Sequence, residues 1–340
     1  METDDAQENE PPSSRHVVYA ALAGNLLVAA TKAAAAAWTG SSSMVSEAVH
    51  SFVDTGNEFL LLHGMRRASR RPDADHPFGY GRELYFWSFV VAVLIFALGA
   101  GVSIYEGIAH VRHPEPITDA IVNYVVLALS FLFEGYSWLV SFRQFRAAKG
   151  SLGYYEAFRR SKDPPSFMVL FEDSAALIGI AVAAIGVFAS TTLAEPALDG
   201  VASIVIGLVL AATAVLLARE SKSLLLGERA DAGLSSSILA VAAAEESVFR
   251  ANGVVTVQLA PDQIFAALSL DFEDDMSARA VEDAIVDIER KVRATHPEVV
   301  ALFIKPQTGR AYRDTVRERF GSPGAVDVVS QDGADRLEAM

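Results

Sequence analysis

Six long apolar stretches leave this chain few ways to fold. Val17–Trp38 is almost wholly apolar and Met44–Met65 is apolar on one face. Leu84–Ala109, Ala120–Val140, Phe167–Ser190 and Ala197–Ala218 complete the set. A hydrocarbon core about 30 Å thick is crossed by roughly 20 helical residues. Inside it every backbone polar group must be satisfied within the segment, which for single stretches of this length means helices. The pattern predicts an α-helical membrane protein with six transmembrane helices. Composition alone does not say so, since 51% hydrophobic residues is close to the soluble norm; their distribution does.

Orientation follows from Lys and Arg. The connection after the second span holds Arg66, Arg67, Arg70, Arg71 and Arg82; that after the fourth holds Arg143, Arg146, Lys149, Arg159, Arg160 and Lys162. The three opposite connections hold Arg112 alone. Basic residues stay on the cytoplasmic side, so both termini are expected in the cytoplasm.

The remaining chain reads as three further parts. Residues 1–16 carry five acids and one Arg and form a disordered acidic N-terminal tail, without the apolar core of a signal peptide. The membrane part is 17–218. From 219 to 308 the patterns are a helix (Ser235–Arg250), strands at Val254–Leu259 and Phe265–Phe272, an amphipathic helix (Ser277–His296) N-capped by Ser277, and a strand at Val299–Ile304. That order, αββαβ, gives a small helix-backed sheet. Residues 309–340 are read as a mostly mobile tail.

Two compositional facts narrow the chemistry. A net charge of −14 argues against nucleic acid as a partner. The absence of cysteine excludes disulfides, thiolate metal sites and cysteine catalysis.

Ionisable side chains at bilayer depth cost at least about 2.5–3.5 kcal/mol each and therefore face protein or water. The second span has the densest set: Glu47, His50, Ser51, Asp54, Asn57 and Glu58. At 100° per residue they share about one third of the helix circumference. His50 and Asp54 stand i, i+4, so they can either pair with each other or hold one divalent cation between them. The fifth span adds Glu172 and Asp173, which as neighbours point about 100° apart, so one of them aims at a given site. Asp173 is read as the ligand, with Glu172 sharing the metal or relaying protons; snorkelling of one of them to the interface is the structural reading. Lys32 on the first span needs an anion, with Asp199 or Glu47 nearest by depth, and these three are read as an ion pair or gate. On the sixth span, Asp199, Ser203 and Gly207 share one stripe.

The run GSSSMVSEAVHSFVDTGNEFLLLHG followed by RRPDADHPFGYGRELY resembles the cation diffusion facilitator family of divalent-metal/proton antiporters. The first segment carries that family's second-span motif, His50 and Asp54; the second carries its loop signature at His76–Arg82. The likeness runs from about residue 17 to 307. It implies a secondary transporter exporting divalent transition metals by alternating access, with Zn²⁺ leading and Mn²⁺, Fe²⁺, Co²⁺ and Cd²⁺ as the alternatives. It further implies a ferredoxin-like cytoplasmic domain, a homodimer, no cofactor beyond the transported metal, and a bacterial inner-membrane location. The chain also departs from the family. With Asp173 at the fifth span's Asp position, Val169 stands where His is expected; a slipped alignment puts Glu172 and Ala176 there instead. Lys305 and Gln307 occupy places where some members bind metal, so the soluble domain is expected to dimerise without a metal cluster. Asp75 and His76 form a second, weaker cation site or simply turn the loop.

Metal binding needs neutral imidazole and ionised carboxylates, so metal and protons compete for the same groups. Imidazole is the side chain titrating nearest ambient pH, which makes His50 the natural proton partner. No Walker-type GxxxxGK[ST] segment is present to couple ATP. Two other classes fit less well. An intramembrane metal-dependent enzyme would want a nucleophile or an HExxH or GxSxG motif, and a non-transporting metal sensor would want ligands in the soluble domain.

Overall fold

The computed structural model describes residues 13–320, and the side chains of 25–319. The chain divides into two compact units: Met1–Arg66 with Phe86–Lys222, and Arg67–Tyr85 with Ser223–Met340. The division falls inside the last helix of the membrane unit, a few residues beyond position 219. The connection between the second and third spans belongs with the C-terminal residues, which the sequence pattern did not indicate.

The first unit is helical. It contains α1 (Ser13–Thr39), α2 (Ser42–Ala68), then α3 (Arg82–Leu94), a π-helical segment (Ile95–Ala100) and α4 (Gly101–Arg112) as one continuous rod. It continues with α5 (Ala120–Ala148), a short α6 (Tyr154–Arg160), α7 (Pro164–Thr192) and α8 (Ala197–Leu226). Among the described residues four helices are long and apolar enough to cross a membrane unaided: Arg82–Arg112, α5, α7 and α8. α2 has the length, but Glu47, His50, Asp54, Asn57 and Glu58 lower its hydropathy. Gly40, at φ +71°, makes the turn from α1 to α2, in a backbone region that suits glycine.

Side chains in this unit are distributed as a lipid-facing bundle requires. Large apolar residues lie outside, with Ile121 77%, Tyr136 73% and Leu132 68% exposed. The interior holds two apolar clusters, one around Met44, Ile180, Ile206 and Leu210 and one around Ile95, Phe158, Phe167 and Leu217. Small residues let helices approach closely. A Cβ on Gly107 of α4 would stand 2.6 Å from the Gly200 carbonyl of α8 and 2.8 Å from the Ile204 nitrogen. Neither is a side chain that can move aside. Gly107→Val is therefore expected to destabilise the unit by about 1–3 kcal/mol or more through overpacking. Gly56→Ala, where a Cβ meets nothing within 4 Å, should leave stability unchanged. Thermal unfolding midpoints of the detergent-solubilised variants check the pair.

The second unit contains α9 (Ala232–Ala243), β1 (Val248–Ala260), β2 (Gln263–Phe272), α10 (Ala278–Thr295), β3 (Val299–Pro306) and α11 (Gly309–Phe320). The sheet order is β1-β2-β3, with β1–β2 antiparallel and β2–β3 parallel. Ile238, Leu239, Ile288 and Val292 from the helices pack on Val254, Ala266, Leu268 and Leu270 of the sheet. Ser277 caps α10, its hydroxyl accepting the Ala280 N–H at 3.2 Å.

Two expectations need correction. The first soluble helix ends at Ala243, seven residues earlier than its pattern suggested, because Val248–Ala251 join β1 opposite Leu270–Phe272. Residues from 309 do not fade into a mobile tail at once: Gly309–Phe320 is helical. Tyr312 and Val316, one turn apart, bury against the unit, and Asp271 accepts the Gly309 N–H at 2.9 Å. The acidic tail expected at 1–16 is shorter than that, since Ser13–His16 already belong to α1; the rest of the expected tails, 1–12 and 321–340, lies outside the described residues.

Candidate metal site

α2 begins in a serine cluster and is held there from outside. Asp199 of α8, fully buried, accepts from Ser41 Oγ at 3.0 and 3.1 Å, from the Ser43 N–H at 3.3 Å, and from the Ser43 hydroxyl. It supplements the cap of α2, where Ser41 Oγ accepts the Met44 N–H at 3.3 Å: a carboxylate from another helix takes the free Ser43 N–H. One turn along, the Ser46 and Ser203 hydroxyls meet at 2.5 Å, and Ser203 donates to the Ser103 carbonyl at 2.9 Å. Asp199 is therefore engaged with serines, and Lys32 finds its anion elsewhere.

Lys32 is fully buried. Its ammonium lies 3.1 Å from Glu47 Oε2, 2.8 Å from Ser51 Oγ and 3.7 Å from Glu134 Oε1. Of the two anions proposed for Lys32, Glu47 is its partner. Glu134 on α5 is a further neighbour, and Asn25, one face-mate of Lys32 on α1, donates to Glu58 at 2.6 Å.

Next on the same stripe come His50 and Asp54. His50 Nε2 lies 3.4 Å from Asp54 Oδ2. Both ring nitrogens of His50, Asp54 Oδ1 and Asn57 Oδ1 are buried without a hydrogen-bond partner. Buried polar atoms are normally satisfied, so this run of open valences on one helix face is unusual, and it is chemically suited to a cation. Neutral imidazole nitrogen with carboxylate oxygen is a Zn²⁺-type donor pair.

Glu172 and Asp173 diverge as adjacent helical residues must. Glu172 turns toward α2, where Asn57 Nδ2 donates to its Oε1 at 3.3 Å. Asp173 turns toward α5, accepting from Ser137 at 2.9 Å and Ser141 at 3.5 Å. The residue facing the α2 stripe is thus Glu172, the reverse of the order read from the sequence. Asp54 lies within electrostatic reach of Glu172, Glu134 and Asp173, and Glu172 and Asp173 lie within reach of Glu58. In this conformation no three His, Asp or Glu side chains among the described residues stand close enough to hold a single ion. Sequence reasoning set Asn57 on the polar face of α2 without foreseeing its bond to Glu172, and missed Ser137 as the partner of Asp173.

In the second unit the loop signature is organised by Asp73, not by Asp75. Asp73 accepts the amides of Asp75 at 3.1 Å and His76 at 2.8 Å, and the Tyr80 hydroxyl at 2.6 Å. His76 stacks on Tyr80 with centroids 4.2 Å apart, and Arg70 lies 4.3 Å over the same ring. Gly79, at φ +80°, closes the turn. The nearest ion-pair partner of His76 is Asp73, at 3.5 Å. Phe78 packs edge-on against Phe265 of β2, and a Cβ on Gly81 would stand 2.6 Å from Ala260 Cβ. The loop geometry thus favours the turn-forming reading of Asp75 and His76.

The Tyr80 hydroxyl and the His76 amide hold the Asp73 carboxyl below the usual carboxylate range, and the same Asp73 bond holds the Tyr80 phenol above its own. A lowered carboxyl stabilises the folded loop above the ordinary carboxylate range, and that stabilisation is lost as pH falls through the lowered value. Asp73→Ala should accordingly expose the Asp75 and His76 amides to faster hydrogen exchange at neutral pH, with the rest of the sheet unchanged. Unchanged exchange at both amides would count against Asp73 as the organiser.

In the second unit, Gln307 bonds Ser269 at 3.2 Å and Thr315 at 3.2 Å, and its carbonyl accepts from Asn252 at 2.7 Å. His296 lies 2.7 Å from Ser237 and 3.3 Å from Glu298. Both are occupied in holding the domain together.

A helical membrane unit with an interior stripe of carboxylates, an imidazole and one ammonium defines a membrane protein built around buried cation chemistry. Residues 18–226 match the cation efflux transmembrane domain. The chain belongs to the cation efflux family, the cation diffusion facilitators. It is 37% identical over 214 residues to "Proton-coupled zinc antiporter SLC30A9, mitochondrial" of Xenopus laevis, an alignment covering 62% of this chain and 38% of that protein. To "Metal tolerance protein C4" of Arabidopsis thaliana it is 36% identical over 229 residues, covering 66% and 50%. "Magnetosome protein MamM" of Paramagnetospirillum magneticum matches over 85 residues at 32%, covering 25% and 27%. The chain therefore spans half or less of the length of these relatives.

Proposed function

We propose that this protein is a secondary transporter that exports a divalent transition metal, Zn²⁺ first, in exchange for protons. The observation that carries the reading is the α2 stripe: buried His50 and half-buried Asp54 inside a helical membrane unit, with three buried open valences between them, facing Glu172 through Asn57. His50, Asp54 and Glu172 are assigned as the metal ligands, and Asp173 as a carboxylate held in reserve by Ser137. Family membership supports transport over enzyme catalysis. The name of the frog relative supports zinc and proton coupling.

Proton coupling follows from the donor set. Metal enters only when imidazole is neutral and carboxylates are ionised, and the returning empty site carries protons on the same atoms. Alternate exposure of the site to the two sides, coupled to the proton gradient, gives transport its direction without ATP. The Lys/Arg distribution supports cytoplasmic termini. A plasma-membrane location in a bacterium and a homodimer joined through the αββαβ domain complete the proposal.

Proteoliposomes loaded with a pH-sensitive dye test it. Zn²⁺ entering must drive protons out, and an imposed proton gradient must drive Zn²⁺ accumulation. Metal flux without opposed proton flux would reduce the reading to a channel, and absence of both would remove it.

A further inference from the structure

Lys32 sits where a free cation would sit. Its ammonium is completely buried among oxygens from two other helices: Glu47 Oε2 at 3.1 Å and Ser51 Oγ at 2.8 Å on α2, and Glu134 Oε1 at 3.7 Å on α5. The remaining Glu47 oxygen, Oε1, is buried with no hydrogen-bond partner, and a Cβ on Gly179 of α7 would collide with it. Two carboxylates around one ammonium leave the group one positive charge short. Deleting the ammonium leaves two negative charges and a hydroxyl, the electrostatic complement of a divalent ion. The donors are all oxygen, which suits Mg²⁺, Ca²⁺ or Mn²⁺ better than a softer metal.

We propose that Lys32 is a tethered occupant of a second cation position in the membrane unit, formed by Glu47, Ser51 and Glu134 and separate from the His50–Asp54 pair. The covalent cation keeps this position closed to free ions. It thereby restricts the protein to one divalent ion per cycle although its interior holds enough carboxylates for more.

The inference goes beyond the transport reading and is tested by counting ions, not by flux. The full chain in nanodiscs is equilibrated with Mn²⁺ alone, and bound metal is measured by electron paramagnetic resonance and elemental analysis. Lys32→Met, which keeps the stem volume and removes the charge, is expected to bind one Mn²⁺ more per chain than wild type. Lys32→Met combined with Glu47→Gln is expected to lose it again. A folded Lys32→Met protein with the wild-type Mn²⁺ count overturns the proposal. If Lys32→Met does not fold in metal-free buffer, it is purified in millimolar Mn²⁺. Recovery of folded protein with the extra ion supports the proposal, and failure to recover it overturns it. An ion lost in His50→Ala reports on the first site, so failure of one assignment is distinguishable from failure of the other.

Discussion

His50→Ala is expected to abolish zinc uptake into proteoliposomes, lowering it at least about 100-fold, since even residues that merely orient a ligand are worth 10–100-fold. The variant should fold. His50 makes no hydrogen bond, so removing its ring leaves only Asp54 with a lost neighbour, at 3.4 Å. The sharper comparison is on α7. Glu172→Gln preserves size and retains an oxygen for Asn57 to donate to, yet removes the charge facing α2, and it should approach the His50→Ala loss. Asp173→Asn keeps an oxygen for the Ser137 donor at 2.9 Å and should stay within about tenfold of wild type, a difference of roughly 1.4 kcal/mol. The reverse order of effects would return Asp173 to the ligand position.

Asp199→Ala carries the largest expected stability change. Its carboxylate takes the Ser41 and Ser43 hydroxyls and the Ser43 amide, all buried. Removal strands the Ser43 amide and takes the charged acceptor from the two hydroxyls, although Ser41 Oγ still accepts the Met44 N–H at 3.3 Å and lies 3.1 Å from Ser43 Oγ. Each stranded buried donor costs about 1–3 kcal/mol, so a total of roughly 2–4 kcal/mol is expected. The thermal midpoint should fall accordingly, with Asp199→Asn, which retains one acceptor oxygen, in between. Because Asp199 bonds the serines at the start of α2 and is not assigned as a ligand, residual transport in folded Asp199→Asn should keep its metal preference. A folded Asp199→Ala protein with wild-type stability would refute the capping role.

Much of this was legible in the residues. Long apolar runs marked the helical membrane unit, and the polar residues of α2 stood out because each is costly at that depth. Lys32 announced a buried anion, and Ser277 announced a cap. What was not legible depends on tertiary partners. Whether Glu172 or Asp173 faces α2 is a rotation of α7 set by its neighbours. The loop residues that stood out in the sequence were Asp75 and His76, not Asp73, whose three donors come from a turn that exists only when folded. The helix preceding β1 showed no Gly or Pro to stop it at Ala243, and the strand won through its pairing with β2. α11 was hidden by its charge, having only Tyr312 and Val316 to bury.

The π-helical segment at Ile95–Ala100 has a consequence for the phasing of the third rod. A π turn closes its hydrogen bonds from i to i+5, and so takes in a residue that an α-helix would not. Everything beyond it is set about 100° around the axis from where an unbroken α-helix would carry it. Ser103 and Gly107 lie past this point, and both meet α8, through the Ser203 hydroxyl and the Gly200 backbone. The inserted residue thus works like a shim in a keyway. Forcing the full sequence into an unbroken α-helix would swing Gly107 off the α8 seam and bring a bulkier side chain to the place where only hydrogen fits, whereas deleting one residue, such as Leu98, should give a continuous α-helix that leaves Gly107 in place.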